Sequence, residues 1–282
     1  MTRTILHLYP AMRDDIDDLV TRRPLPSPGL TRLGAFLFLN HHGPQIYPPH
    51  SHGLPFGPHP HRGFETVTFI LEGELAHRDS GGHESIIGPG GVQWMTAGSG
   101  LIHEEVSPED FKKRGGAMEI LQLWINLPAH LKMTTPRYIG LQAEGFPIIH
   151  DTDAAVQLIA GDYRGQTGPI PSLTGIFMTT VHITTGGSVR FDALKGRDVF
   201  LYVVSGAIHI AGVTAPKFHL VALREGDTVE IGADEDSIIL FGHAEPLDEP
   251  VVAHGPFVMN SEAEIHQAIA DYRAGKFGAG LH

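Results

Sequence analysis

The chain has 282 residues, 41% hydrophobic and 18% charged, too apolar and too weakly charged for a disordered polymer. Thirty-two acidic against 20 basic side chains give a formal net charge of -12, a field that repels phosphate backbones and anionic headgroups, so no direct nucleic-acid contact and no membrane binding are expected. The absence of cysteine excludes disulfides, thiolate nucleophiles and zinc-thiolate sites, leaving imidazole, carboxylate and water as metal ligands.

The length suits two ordinary domains, and 34 glycines with 21 prolines favour many short strands over long helices. The N-terminal MTRTILHLYPAMRDDIDDLV lacks the apolar run of a signal peptide, and no later stretch is long enough to span a bilayer, so a cytoplasmic protein is expected. In chain order, the histidine-rich HHGPQIYPPHSHGLPFG, with His41, His42, His50 and His52, is expected to be a surface loop. Residues 65–73 (ETVTFILEG) form a β-branched and aromatic run ending in a glycine turn, after which ELAHRD resumes as a partner strand. Glycines 88, 90 and 91 precede the strand VQWMT, and AMEILQLWINL has the pattern of a buried strand. A connecting loop, LPAHLKMTTPRY, divides the chain into 1–135 and 136–282.

The second half repeats this grammar: VFLYVVSG is followed by AIHIAG, and Gly226 turns the chain before TVEI. Two related barrels are expected. Near the end, Ser261 and Glu264 form a capping-box pattern, Ile265, Ile269 and Tyr272 recur at helical spacing, and Gly275 suits a helix stop.

Two short patterns carry chemistry. His59-Pro60-His61 places two imidazoles on one face of a strand, and His103-Glu104-Glu105 does the same for an imidazole and a carboxylate. On strands facing each other across a narrow barrel, these four side chains would converge on one ion. Imidazole with carboxylate suits iron, manganese, nickel, copper or zinc rather than calcium or magnesium. Glu65, four residues past His61, rivals Glu105 as the oxygen ligand. A lone His-x-His is ordinarily a solvated strand face, and the second pair is what argues otherwise. The corresponding positions of the second half hold Asp192, Leu194, Ile239 and Phe241, so that barrel is expected to be metal-free, with His209 and His243 ordinary polar positions. His7, His219, His254, His266 and His282 are scattered and carry no argument.

PHPHRGFETVTFILEGELAHRDS and IGPGGVQWMTAGSGLIHEE resemble the two signature segments of the pirins, in the cupin superfamily, and the likeness extends through LQLWINLP and returns at EPLDEPVVAHGPFVMNSEAEIHQAIADYR. The resemblance implies a mainly all-β bicupin: two antiparallel jelly-roll-like barrels with a short C-terminal helix. It implies one divalent transition metal, iron(II) foremost, held in the first barrel by His59, His61, His103 and Glu105. It further implies a quercetin 2,3-dioxygenase reaction on polyphenols with dioxygen, Glu105 then accepting the flavonol proton, or an iron-responsive binding protein that regulates a protein partner. A third expectation is cupin chemistry on another small oxygenated metabolite. Phe64, Phe69, Trp94 and Met95 are candidate pocket walls, and Arg62 a candidate for orienting substrate or capping the barrel rim. Ser99 departs from the arginine common in the family's AGRG stretch.

Overall fold

The computed structural model describes residues 1–151 and 153–281, so His282 lies outside the described residues. It is mainly β, as expected, and its chain divides into two compact units. Among the described residues, no helix is long and apolar enough to cross a membrane.

The units are not the linear blocks 1–135 and 136–282. One comprises Met1–Met12, Arg23–Leu37 and Gly145–Pro246, the other Arg13–Arg22, Phe38–Glu144 and Leu247–His282. The first strand, Ile5–Pro10, pairs antiparallel with His219–Leu223, supplying a partner to what would otherwise be an open sheet edge. The C-terminal helix belongs to the unit built from the first half. Strand pairing is non-local, so neighbours in sequence need not share a barrel.

In the unit containing the second half, a seven-stranded and a four-stranded sheet enclose an apolar core. Leu194, Ile239 and Phe241 are fully buried in it, but they are not the structural counterparts of the histidine-bearing positions: strand order matches Phe56–His61 and Leu101–Val106 with Ser188–Phe191 and Val229–Ala233, which carry no histidine.

In the other unit we number the strands β1 (Phe36–Tyr47), β2 (Phe56–His61), β3 (Phe64–Glu72), β4 (Leu75–Asp79), β5 (Glu84–Ile87), β6 (Val92–Thr96), β7 (Leu101–Val106), β8 (Gly116–Asn126) and β9 (Arg137–Leu141). One sheet runs β9-β6-β3-β8-β1 and continues into Thr21–Leu25 and Met12–Arg13; the other runs β2-β7-β4-β5. His41 and His42 lie within β1 and are fully buried, contrary to the expected surface loop, whereas His50 and His52 are exposed and outside any strand or helix, as expected. His41 meets the Glu119 carboxylate at 2.8 Å and His42 the Thr21 hydroxyl at 2.8 Å, and these partners make burial tolerable. Helices α1 (Glu109–Arg114) and α2 (Glu262–Arg273) complete the unit. The Ser261 hydroxyl accepts from the Glu264 N–H at 3.3 Å, the expected N-cap. Ile265 and Ala268 face Phe257, Met259 and Phe277. Ile269 packs partly buried against the same cluster, as the spacing predicts, whereas Tyr272 is 39% exposed and Asp271 beside it is buried.

Candidate metal centre

β2 and β7 are hydrogen-bonded antiparallel neighbours in one sheet, rather than strands facing across the barrel. His59 pairs directly with His103, and His61 with Leu101. Direct cross-strand partners have Cβ atoms about 5 Å apart, so register alone brings the imidazoles together. The ring centroids of His103 lie 4.3 Å from His59 and 5.0 Å from His61, and the ligand nitrogens of the three residues fall within 4.8 Å of one another.

Outer hydrogen bonds fix two of the rings. The Nδ1 of His59 meets the Gly57 carbonyl at 2.8 Å and that of His61 the Pro256 carbonyl at 3.3 Å. A carbonyl only accepts, so both Nδ1 atoms carry the proton and both Nε2 lone pairs are left for an ion. Burial, with His59 beside it, pushes the His61 imidazole down to about 3, and burial likewise holds His103 well below the usual imidazole range. Both are therefore neutral at physiological pH, the protonation state a ligand needs. Neither ring nitrogen of His103 has a hydrogen-bond partner although the residue is fully buried. An orphaned imidazole between two others with free lone pairs fits a borderline divalent metal.

Glu105 is two residues along β7 from His103 and fully buried, yet its carboxylate is outside the close group of nitrogens. It accepts from the Thr68 hydroxyl at 2.9 Å and from the Gln93 and Gln122 amides. Gln93 in turn accepts from the Tyr138 hydroxyl at 3.2 Å. Glu65 points to the other face of β3, where it accepts from Thr96 at 2.6 Å, and burial raises its carboxyl.

Of the four candidate wall residues, Phe64 and Met95 share the face of Thr68. Phe69 and Trp94 alternate to the opposite one. Trp124 was not anticipated: its ring lies 5.3 Å from His61, 4.5 Å from Phe64 and stacks on Phe38 at 4.7 Å. Nor was His77, buried 5.4 Å from the His103 ring, stacked on Tyr138 and bonded to Asp79 at 3.1 Å. Gln93 and Gln122 did leave a signal, as lone amides inside the apolar runs VQWMT and ILQLWI. Arg62 points its guanidinium at Ser99 and Asp271.

The fold and this histidine-lined barrel define a bicupin. Residues 18–125 match the family model described as Pirin, and residues 178–278 the one described as Pirin C-terminal cupin domain. The chain belongs to the pirin family. It is 40% identical over 248 residues to a Pseudomonas aeruginosa protein provisionally named a quercetin 2,3-dioxygenase, covering 87% of each chain. A crystal structure of quercetin 2,3-dioxygenase from Acinetobacter baumannii superposes with a TM-score of 0.92 at 33% identity, covering 99% of both chains. A bacterial pirin from Escherichia coli, in complex with nickel(II), shares the fold at 24% identity and a TM-score of 0.70, covering 86% of this chain and 99% of that one.

Proposed function

We propose that the protein is a metal-dependent dioxygenase that opens the central ring of flavonols such as quercetin. Dioxygen adds across that ring and one ring carbon leaves as carbon monoxide. The observation that carries the reading is the fully buried His103, both ring nitrogens unpartnered, between His59 and His61. In this reading His59, His61 and His103 hold the ion and Glu105, on the same strand face, completes the set. The ion, iron(II) foremost, would supply a Lewis-acidic, redox-capable centre where the flavonol oxygen and dioxygen meet. The nickel found with the E. coli relative supports a divalent ion of this class.

The side chains of this unit perform the rest. A carboxylate offers about four lone-pair sites, and Glu105 has three donors, so one site stays open toward the ion or toward the 3-hydroxyl proton it would accept. Thr68, Gln93 and Gln122 hold that carboxylate in one orientation. Phe64 and Trp124 give a flat substrate an apolar surface beside His61.

The experiment is to incubate the anaerobically iron-loaded protein with quercetin in air, following flavonol absorbance and carbon monoxide beside a His61→Ala control. Turnover that disappears in the control supports the reading. A protein holding one iron per chain that leaves quercetin intact refutes it and favours a metal-responsive binding protein.

A further inference from the structure

Resting on the reading of His61 as a ligand, we propose that residues 256–277 form a strap that positions this imidazole for the metal, with the buried Arg62–Asp271 ion pair as its clasp.

The strap starts at the ligand itself. His61 donates its Nδ1 proton to the carbonyl of Pro256, 195 residues away in sequence, at 3.3 Å. From there the chain runs beside the end of β2. Arg62 and Phe257 form a parallel bridge, the Val258 N–H donates to the Arg62 carbonyl at 3.0 Å, and the Arg62 N–H reaches Pro256 at 3.4 Å. Gly63, at φ +88°, permits the approach: a Cβ there would stand 2.0 Å from the Val258 oxygen. The buried Lys132 ammonium donates to the Gly63 carbonyl at 2.8 Å and the Val258 carbonyl at 3.0 Å, tying the two segments together.

The Arg62 side chain then ties the strap's far end to the metal-bearing strands. Its Nε donates to the Ser99 carbonyl at 2.8 Å, in the turn that leads into β7 and His103, and its Nη1 to the Asp271 carboxylate of α2 at 2.8 Å. The guanidinium lies 4.6 Å from the centre of the Phe277 ring. That ring fills the space over Gly100, where a Cβ would stand 2.6 Å from it, and the Phe277 carbonyl accepts from the Ser80 hydroxyl at 2.6 Å. With side chains only 5% and 11% exposed, the Arg62–Asp271 pair is shielded from water, and loss of the Asp271 charge leaves the Arg62 guanidinium uncompensated. One cation thus braces the end of β2, the turn before β7 and the C-terminal tail. The carbonyl that orients His61 is held in place by contacts 15 residues further along the chain.

Outer partners of metal-binding histidines set ring orientation, and their loss commonly costs 10–100-fold in affinity. Binding linkage is reciprocal, so a strap that favours the ion must be favoured by it.

Calorimetric titration of the full, metal-stripped chain with nickel(II) tests this. Asp271→Asn, which removes the charge and keeps the shape, is expected to bind about tenfold more weakly. It should also shift the ligand-field bands of the cobalt(II)-loaded protein. Lys113→Ala, which removes an exposed ion pair with Asp110 on α1 outside the strap, should bind as wild type does. Should Asp271→Asn fail to fold, the unaltered chain gives the reading: nickel loading should slow amide exchange at Val258. Wild-type affinity and wild-type bands in Asp271→Asn, or exchange at Val258 indifferent to nickel, overturn the strap. A wild-type chain that binds no nickel removes the metal-centre reading itself, and the strap with it.

Discussion

Replacing His103 by leucine should separate what this residue does for the ion from what it does for the fold. Without metal, its two buried nitrogens have no partners, and an unsatisfied buried polar atom costs about 1–3 kcal/mol. Leucine has a similar volume and no polar atom, so the metal-free variant should gain on the order of 1–3 kcal/mol. Nickel at about 100 times its dissociation constant should stabilise the wild-type chain by about 2.7 kcal/mol, and His103→Leu by nothing. At about 2–4 °C per kcal/mol for a unit of this size, the wild-type transition should rise by roughly 5–10 °C with nickel. Scanning calorimetry of both proteins, chelated and nickel-loaded, reads all four transitions. The reasoning fails if the metal-free variant melts several degrees below the metal-free wild type, or if nickel raises both transitions equally.

Two further outcomes are expected. Gln122→Leu removes one of the three donors that orient Glu105, and should lower quercetin turnover about tenfold at saturating metal, read by steady-state kinetics beside metal analysis. His243 offers a pH test in the other unit: burial, with Arg197 next to it, pushes its imidazole down to about 3. The unfolded chain takes up that proton at about 6.5, so stability should be level above pH 6.5 and fall as pH drops from there toward 3. His243→Asn should show a shallower loss of urea midpoint between pH 7 and 4, and parallel curves for the two proteins would contradict the assignment.

The residues of the candidate metal centre were legible in short stretches of sequence because the strand pleat is a local rule. Residues i and i+2 share a face whatever the rest of the chain does, so His59 with His61, and His103 with Glu105, could be read as pairs. The Ser261 cap of α2 was legible as another local pattern, whereas offsets counted from the glycines picked Leu194, Ile239 and Phe241 as counterparts, and strand order places the matching positions in Ser188–Phe191 and Val229–Ala233 instead. The β-branched runs and glycine turns likewise indicated barrels.

Only the tertiary structure decided which strands became neighbours, and those decisions shape the site. Pairing of β2 with β7 set His59 opposite His103, and the gathering of β3, β6 and β8 around Glu105 directed Thr68, Gln93 and Gln122 onto its carboxylate. The same long-range choices buried His41 and His42, sent the first strand to the second half's unit, and brought Pro256 to His61. The physical reason is that strand registry and closure depend on contacts between residues far apart in the chain. A local pattern determines which face a side chain takes; what that face meets depends on how the whole sheet closes.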